Sequence, residues 1–587
     1  MIFSRMNRPL LATGAALVAF AVLQPASASA APNWRTAVQI LAVNDLHGNL
    51  DAVPGAAGSV IKTDAAGNQV SVQAGGVARM ATLLDAARQG QGRTLTVGVG
   101  DMIGGSPLLS AAYHDEPTVH AMELMGFNVS SVGNHEFDEG RKELKRIVDG
   151  GCHPVDGCAE PGVRYPGAKF PYLAANVVDT KTKKPILAPY WIKKYAAFKV
   201  GFIGLVTRDV PNVVVRDGIK GLEFRDEVST IDKYAKELKK KGINAIVVII
   251  HEGGATSSPV YNFNCDAGGP GAGLTGAIKD IAKRTTPLVD LFITGHSHEA
   301  YVCNVPDPAG NRRLVTQAAS FGRTFTDIRF DMNLKTRDIV RSSVSAANNI
   351  VTLDTAEQSP VMQLVETWRA RSAAVANKPI GYISADLPGR GSTLPETPLG
   401  DVIADSQVFG TRSAGAELAF LNPGGMRADL VYRASGTEGD GVVTFGEAFQ
   451  VQPFDNILVT MTLTGTQLIN VLREQYSGKN EAFPRVLQLS SALRYTVDLG
   501  RAGGDRVLAD TVRVNGQPVD PARGYRVTAN TFLAAGGNDF PTFVAGTDRV
   551  NGGIDLAAFV DYFAANSSPG TPLPKPTADR ITFLPKP

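Results

Sequence analysis

The chain has 587 residues, 19% of them charged, with a formal net charge of +2. Its length is too great for one hydrophobic core, so two domains joined by a linker are expected. The balanced charge argues against a long polyanion such as duplex DNA as the main partner, because such partners require a basic surface.

The first thirty residues have the pattern of a secretory signal peptide. Arg5 and Arg8 precede an apolar run over residues 10–23, and Ala28-Ser29-Ala30 offers small residues for cleavage. A membrane anchor is the alternative, but the run is short for a span. Removing residues 1–30 takes away two arginines and no acidic residue, which leaves 56 basic and 56 acidic side chains. We expect an exported protein, periplasmic or extracellular, with no stable membrane anchor.

Cysteine usage agrees with export. The four cysteines are Cys152, Cys158, Cys265 and Cys303, and an exported chain with an even number usually pairs them. Three pairings are possible, and the sequence does not choose between them. We favour Cys152–Cys158 with Cys265–Cys303, since each closes a glycine-rich loop without crossing the other. Zinc binding is disfavoured because no CxxC spacing is present.

Short apolar runs alternate with stretches of helical period through the first half of the chain. Val77, Met80, Ala81 and Leu84 share one helical face, and a helix is expected to open at Glu116-Pro117. Buried strands are predicted at residues 37–43, 95–99, 129–132, 245–250 and 291–294. This alternation favours a layered α/β domain.

A connector helix is predicted near the middle of the chain. Ser359-Pro360 resembles an N-cap and first turn, and an apolar stripe at helical spacing follows from Val361 to Trp368. The second half mixes short strands with helices, for example at residues 399–409 and 465–474. The predicted organisation is a signal peptide at 1–30, a catalytic domain at 31–345, a linker helix at 346–377 and a second domain at 378–587.

Every predicted strand of the first half ends in residue types that bind metals. The residues are Asp45 and His47, Asp101, Asn134 with His135, Glu136 and Asp138, His251, and His296 with His298. Five of the eight histidines lie at these strand ends. Ligands of α/β sheets bind beyond the carboxyl ends of the strands, so these side chains are expected to converge on one rim. Each of these motifs occurs alone in many ordinary turns, and only their occurrence together indicates a metal site.

The ordered set Asp45-x-His47, Gly100-Asp101, Gly133-Asn134-His135-Glu136, His251 and Gly295-His296-x-His298 resembles the calcineurin-like metallophosphoesterases. Together with the second half, the chain resembles the secreted bacterial 5′-nucleotidases over essentially its whole mature length. The resemblance implies an α/β fold, namely a layered β-sandwich flanked by helices, followed by a smaller mixed α/β substrate-binding domain. It further implies that this second domain moves about the connector helix.

The same resemblance implies two divalent metal ions. One would be held by Asp45, His47 and His298, the other by Asn134, His251 and His296, with Asp101 between them. This mixture of carboxylate, amide and imidazole suits Mn, Zn, Fe or Co better than calcium. His135 and Asp138 would form a catalytic pair, in which Asp138 orients the imidazole of His135. The alternative is that Asp138 merely begins a helix at residues 139–148.

Three segments of the second half resemble the substrate-binding loops of the family. The predicted substrate-binding residues are Asn422, Gly424, Gly425, Arg427, Phe454, Phe532, Asn538 and Asp539. Phe454 and Phe532 would stack on a base. The chain departs from the family pattern at four positions. Pro423 replaces a glycine, Asn538 and Asp401 replace the usual aspartate and asparagine, and Thr393 stands where an arginine is common, with Arg390 nearby.

The expected function is removal of phosphate from small nucleotides, mainly nucleoside 5′-monophosphates, in nucleotide catabolism. Two alternatives share the metal centre: a 2′,3′-cyclic nucleotide phosphodiesterase, and a pyrophosphatase acting on nucleotide sugars or NAD. A non-catalytic exported binding protein is a further alternative, but all seven expected ligands are present. A nuclease acting on a nucleic acid polymer is disfavoured by the neutral mature charge.

Overall fold

The structure is a computed structural model that describes residues 34–214, 216–454 and 456–585. The predicted signal peptide lies outside these residues. Within them, none of the helices combines the length and the apolar character that crossing a bilayer demands.

The first domain is built on two β-sheets that pack face to face. The strands of the first sheet, in spatial order, are Asp338–Ile339, Thr324–Asn333, Arg35–Val43, Thr94–Val99, Val129–Ser131 and Tyr172–Leu173, with Ser345–Ile350 also paired to Thr324–Asn333. Those of the second are Ala300–Asn304, Leu314–Ala318, Leu291–Thr294, Ala245–His251, Lys199–Val206 and Tyr190–Lys194. The central strands of each sheet are parallel, which brings their carboxyl ends to a common edge.

Side-chain alternation along the strands builds the core. In Arg35–Val43, the side chains of Ile40 and Ala42 lie between the two sheets, whereas Leu41 and Val43 lie on the outer face. The second sheet divides in the same way, since Ile249 faces the first sheet while its neighbours face outward. Because both faces of each sheet are covered, the strands are apolar along almost their whole length.

Helices cover the outer faces of both sheets. The helices of the first domain are Val77–Arg88, Leu108–Ala111, Glu116–Leu124, Gly140–Asp149, Glu227–Lys240 and Ala277–Arg284. The result is a helix–sheet–sheet–helix sandwich, so the predicted fold class is confirmed. Short two-stranded ladders complete the domain: Ser59–Thr63 with Gln69–Gln73, Val177–Asp179 with Leu222–Phe224, and Ala255–Thr256 with Leu274–Thr275.

The connector helix is Ser359–Ala376. Ser359 was predicted to be its N-cap, but the structure corrects this: Gln358 is the N-cap and Ser359 is already helical, because Pro360 fits the first turn equally well there. Val361 and Val365 join the core of the first domain, and the indole of Trp368 packs on Tyr113 with ring centroids 4.6 Å apart. The helix therefore belongs structurally to the first domain, while its other end reaches the second.

The second domain is a smaller mixed α/β unit. Its larger sheet contains, in spatial order, Gln488–Leu489, Leu418–Leu421, Gly524–Asn530, Ile457–Thr464 and Thr547–Ile554; its smaller sheet contains Gln517–Pro518, Val507–Val514, Leu493–Asp498 and Ile581–Leu584; Pro379–Tyr382 pairs with Val442–Thr444. The helices are Pro398–Thr411, Phe445–Val451, Gly465–Glu474, Thr531–Ala534 and Asp555–Asn566. The architecture agrees with the expected substrate-binding domain.

Two disulfides join Cys152 to Cys158 and Cys265 to Cys303. The favoured pairing is thus confirmed. The first closes a short surface loop, and the second ties the loop before Leu274–Thr275 to the strand Ala300–Asn304.

Candidate metal centre

Seven side chains converge where the parallel strands of the two sheets end. Asp45 and His47 follow Arg35–Val43, Asp101 follows Thr94–Val99, Asn134 follows Val129–Ser131, His251 ends Ala245–His251, and His296 and His298 follow Leu291–Thr294. These are the seven residues that the sequence marks as candidate ligands. Their convergence follows from the parallel register of the strands.

The first group consists of Asp45, His47 and His298, each of which offers one ligand atom within 4.8 Å of the other two. Nε2 of His47 lies 3.1 Å from Nε2 of His298, and the latter lies 3.3 Å from Oδ1 of Asp45. Two imidazole nitrogens and a carboxylate oxygen in such proximity form a coherent ligand set for one transition-metal ion.

The second group consists of Asp101, His251 and His296. Oδ2 of Asp101 lies 3.0 Å from Nε2 of His251 and 3.6 Å from Nε2 of His47, so this carboxylate stands between the two groups. Oδ1 of Asn134 is buried here without a hydrogen-bond partner among the described residues. A buried amide oxygen without a partner is costly unless a cation or donor completes it.

Backbone carbonyls fix the orientation of two of the rings. Nδ1 of His47 lies 2.8 Å from the carbonyl oxygen of Gly104, and Nδ1 of His251 lies 2.9 Å from that of Val99. Each contact favours a proton on Nδ1 and directs Nε2 at the neighbouring ligands. This arrangement is typical of metal-binding histidines.

The backbone of the ligand-bearing turns is strained. Five of the ligands have a positive φ between 48° and 76°: Asp45, His47, Asp101, His296 and His298. Left-handed backbone is unfavourable for residues with a Cβ and persists only where the surroundings impose it, commonly at functional sites. The surrounding structure therefore holds these residues in a backbone conformation that is unfavourable by itself and that an unconstrained surface turn would relax.

Glu136 supports the turns from behind. Its carboxylate accepts backbone N–H groups from Asp101 and Met102 at 2.9 Å and from Gly133. The sequence motif contained this residue, but no role was assigned to it. Two of these three backbone groups come from a segment about 35 residues away in the chain, so no local pattern could reveal the role.

The electrostatics of the cluster favour a bound cation. Burial raises the pKa of Asp45 to about 7, since a carboxylate loses its hydration there. Burial also lowers the pKa of His296 to about 3 and holds those of His47 and His298 well below the usual range. These three imidazoles are consequently neutral, as metal ligands must be. Against the effect of burial, Asp101 and Asp45 raise the pKa of His251 to about 10, so an ion bound there would displace a proton. The donor chemistry, the unsatisfied Asn134 oxygen and the neutral rings all fit divalent transition-metal ions.

His135 and Asp138 form a pair beside this cluster. Oδ2 of Asp138 lies 2.8 Å from Nδ1 of His135, and the His135 backbone N–H donates to Oδ1 of Asp101 at 2.8 Å. Against the opposing effect of burial, Asp138 and Asp101 raise the pKa of His135. The alternative role of Asp138 as the start of a helix is not supported, since Gly140–Asp149 begins after an N-cap at Glu139.

The second domain brings Arg427 and Phe454 to the metal centre. Nη2 of Arg427 lies 3.2 Å from Nε2 of His47, and its guanidinium carbon lies 5.6 Å from the centre of the Phe454 ring. That ring stacks on His135, with centroids 5.5 Å apart and planes inclined by 17°. Two of the predicted substrate residues therefore contact the predicted catalytic machinery directly.

The Asn422 turn lies just behind Arg427. Asn422 is buried and its Oδ1 accepts a hydrogen bond from Nδ2 of Asn530 at 3.0 Å. Pro423–Gly425 forms a single 3₁₀ turn after the strand Leu418–Leu421. A Cβ at Gly425 would lie 2.9 Å from the Leu421 side chain, so only glycine fits without displacement.

The third substrate segment forms a tight loop. Phe532 packs partly into the core of the second domain and against Gly537, where a Cβ would lie 2.6 Å from the ring. Asn538 and Asp539 both have positive φ. Oδ1 of Asn538 is buried without a hydrogen-bond partner in the described chain, and Oδ2 of Asp539 accepts the Lys479 backbone N–H at 3.1 Å. Asn538 thus offers a free acceptor, whereas Asp539 stabilises the loop.

Two further arginines, which the sequence analysis did not assign to the site, lie close to the metal-ligand cluster. Nη2 of Arg390 lies 3.2 Å from Nδ1 of His298, although Thr393 had been aligned with the family's arginine. Arg485 lies close enough to lower the pKa of both His296 and Arg390. Burial, assisted by Arg427, lowers the pKa of Arg390 to about 9. The loop carrying Arg390 has no periodicity from which its register could be predicted.

Comparison with protein families agrees with this geometry. Residues 38–300 match the family described as calcineurin-like phosphoesterase, and residues 374–545 match the family described as 5′-nucleotidase, C-terminal domain. The two matches correspond to the sandwich with its metal-ligand rim and to most of the second domain.

Two curated bacterial proteins are similar over most of the chain. Cell wall protein Lmo0130 of Listeria monocytogenes is 32% identical over 595 residues, covering 97% of this chain and 72% of the relative. Endonuclease YhcR of Bacillus subtilis is 32% identical over 546 residues, covering 92% of this chain but only 40% of the relative. Among solved structures, a 5′-nucleotidase precursor from Thermus thermophilus superposes with a TM-score of 0.75 and 26% identity, covering 94% of this chain and 100% of that one.

Proposed function

Because the chain belongs to the 5′-nucleotidase family of metal-dependent phosphoester hydrolases, we propose that it is an exported enzyme that releases phosphate from nucleoside 5′-monophosphates. Export is supported by the predicted signal peptide, by the two disulfides and by similarity to a protein named as a cell wall protein. The named 5′-nucleotidase from Thermus thermophilus supports the substrate class.

The observation that carries the proposal is the contact between second-domain arginines and the metal-ligand cluster. Arg427 and Arg390 reach the ring nitrogens of His47 and His298 at 3.2 Å. Guanidinium groups buried together repel one another and are stabilised by an anion that both can contact. A phosphate monoester fits this requirement, since arginine binds phosphate through paired, charge-assisted hydrogen bonds.

Two divalent ions are proposed to be held by the ligands already described, with Asp101 between them. When bound, such a pair of ions neutralises charge on the phosphate and lowers the pKa of an attacking water. The protein contributes a set of rings and carboxylates that are already oriented by the Val99 and Gly104 carbonyls. Preorganised ligands of this kind do not have to reorient during the reaction.

His135 is proposed to act on the leaving group. Asp138 would accept a hydrogen bond from Nδ1, which directs Nε2 at the substrate, where the protonated ring would donate its Nε2 proton to the departing nucleoside oxygen or stabilise the charge that develops on the phosphate. Phe454, stacked on His135, lies beside this position. Phe454 and Phe532 would accept a base by stacking, which is worth about 1–3 kcal/mol per base and tolerates different bases.

The proposal is tested by substrate hydrolysis with the mature protein loaded with Mn²⁺, in which inorganic phosphate is measured for AMP and the nucleotide products are separated for the other substrates. The substrates are AMP, 2′,3′-cyclic AMP, NAD and a nucleotide sugar, and the His135→Ala variant is assayed alongside. Rapid release from AMP, reduced about 10²- to 10⁴-fold in the variant, is the expected result for a general acid. Hydrolysis of only the diester or the pyrophosphates would overturn the substrate while retaining the metal centre.

A nuclease function has one specific observation in its favour, the similarity to endonuclease YhcR. More than half of that relative lies outside the part matched by this chain, and the neutral mature charge provides no general attraction for DNA. Duplex and single-stranded DNA are therefore included in the assay. Cleavage of DNA at a rate comparable with AMP hydrolysis would favour the nuclease.

A further inference from the structure

A second cluster of metal-ligand side chains lies away from the rim. His114, Glu139 and His153 each offer one ligand atom within 4.8 Å of the others. His114 comes just before the helix Glu116–Leu124, Glu139 precedes Gly140–Asp149, and His153 lies inside the loop closed by Cys152–Cys158. Three separate segments of the first domain are thus brought together by their side chains.

The contacts within this cluster are close and directional. Nδ1 of His114 lies 2.8 Å from Oε2 of Glu139, and the rings of His114 and His153 stack with centroids 3.7 Å apart. Oδ2 of Asp156 lies 3.1 Å from Nε2 of His114 and 3.1 Å from Nδ1 of His153. The Asp156 backbone N–H also lies 3.2 Å from that same Nδ1. One carboxylate therefore faces a nitrogen of each ring, and a second faces the remaining nitrogen of His114.

We propose that His114, Glu139 and His153 bind a third divalent transition-metal ion, with zinc the best match. Ligands of one tetrahedral zinc ion lie about 3.3 Å apart, and the two rings, which are stacked here, would turn so that one nitrogen of each points at the ion. On His114, Asp156 would accept a hydrogen bond from Nε2, the nitrogen on the far side of the ring from Glu139, which is the usual second contact of a metal-binding histidine. With both imidazoles bound to the ion as neutral ligands, the two carboxylates would carry a charge of −2, which a divalent ion neutralises.

The loop that carries His153 is held in place without the ion. The Cys152–Cys158 disulfide closes it, and His153 pairs with Gly157 through two backbone hydrogen bonds. His114 has a positive φ of 48° and the following Asp115 one of 61°. Because the backbone is constrained on both sides, binding would order little beyond the side chains themselves.

The position of the cluster links it to the catalytic residues. Asp115, next to His114, accepts the Gly104 N–H at 2.9 Å, and the Gly104 carbonyl orients His47. Glu139 directly follows Asp138, the carboxylate that orients His135. An ion here would tie together the two segments that support His47 and His135 from behind, and it would stabilise the first domain.

Metal stoichiometry tests the proposal without requiring activity. The mature protein is stripped with chelator, loaded with Zn²⁺, desalted and analysed for zinc per chain. We expect three ions for the native chain and two for His114→Gln or His153→Gln. His120→Gln is the matched control, because His120 is the remaining histidine of the eight and belongs to neither cluster; it should retain three.

A second measurement isolates the site. The double variant Asp101→Asn/His251→Asn weakens the rim, and saturating Zn²⁺ should still raise its Tm by several degrees; adding His153→Gln should abolish that shift. A native stoichiometry of two, or equal zinc loss in His120→Gln, would overturn the proposal. The test is independent of the proposed function, since absent AMP hydrolysis with three bound ions would leave this site intact.

Discussion

The two sides of the candidate active site are built in different ways. The metal-ligand side follows the carboxyl ends of buried parallel strands, and its rings are held by backbone carbonyls. The arginine side comes from turns and short 3₁₀ segments of the second domain. Both sides keep buried polar atoms without a hydrogen-bond partner in the described chain: Oδ1 of Asn134 on the first, and Nε of Arg427 and Oδ1 of Asn538 on the second.

The difference in construction suggests different roles: the protein fixes the positions of the metal ligands before substrate binds, whereas the substrate-binding side chains gain their partners from the substrate. Strand ends hold side chains rigidly, which favours precise metal coordination. Loop-borne cations and a free amide oxygen acquire their partners when an anion and a base arrive. Substitutions on the first side should therefore abolish metal binding and chemistry together, whereas those on the second should weaken substrate recognition and leave the metals in place.

The largest effect is expected for Asp101→Asn. The substitution keeps the size of the side chain but removes the charge that lies between the two ligand groups. We expect loss of at least one ion per chain and a fall in kcat/KM of about 10³-fold, equivalent to several kcal/mol of transition-state stabilisation. Metal analysis and phosphate release from AMP measure the two effects.

Asp280→Asn is the matched control, since Asp280 is exposed and forms an ion pair with Arg284, four residues along the same helix. It should leave both quantities unchanged. Full metal content in Asp101→Asn, or activity within a few-fold of the native chain, would contradict the proposal that the strand-end side chains are required for both metal binding and catalysis.

The sequence predicted the metal side well because each ligand follows an apolar strand, a pattern that is local along the chain. His251 and Asp45, for example, could be placed at the same edge of the sheets without knowing any distance between them. The same reasoning could not reveal Glu136, whose role requires backbone groups from other turns, nor the positive φ of the ligands. The hairpin at residues 59–73 was not predicted either.

Prediction was weaker for the second domain because its residues lie on turns without periodicity. Arg427 was found from a glycine-rich motif, but Arg390 had no such context and Thr393 was aligned instead. The N-cap of the connector helix was misplaced by one residue, since Pro360 is compatible with either position. These errors arise where contacts between domains, rather than local preference, determine the position of a side chain.

A smaller effect is expected for Arg427→Lys, on the loop side. Lysine keeps the charge but not the planar fork that pairs with phosphate. We expect kcat/KM for AMP to fall about 10- to 100-fold, corresponding to about 1.5–3 kcal/mol for a charge-assisted hydrogen bond, with metal content unchanged. Arg433→Lys, at an exposed position of the same domain, is the control. Loss of metal in Arg427→Lys would contradict the proposal that the second domain binds substrate without holding the metal ions.

The smallest effect concerns Asp401, which stands where the resemblance places asparagine. This residue of the helix Pro398–Thr411 is fully buried, and neither carboxylate oxygen has a hydrogen-bond partner in the described chain. Burial raises its pKa to about 8, whereas an unfolded chain releases the proton near pH 4. The native state therefore holds a proton that the unfolded state has lost, and the free energy of unfolding falls as pH rises between these values.

Asp401→Asn removes this pH dependence and should raise the free energy of unfolding by about 1–2 kcal/mol at pH 8, with little difference at pH 5. Thermal unfolding at the two pH values measures it as a few degrees in Tm. Arg580 would not be left unpaired, because its Nη2 lies 2.6 Å from Oδ2 of Asp405. Asp405→Asn is the informative contrast: it weakens that ion pair and should destabilise the protein at both pH values. If Asp401→Asn destabilised the protein at pH 8 as much as Asp405→Asn, the carboxylate of Asp401 would be a required partner of Arg580 at 3.4 Å, and the departure from asparagine would be structural.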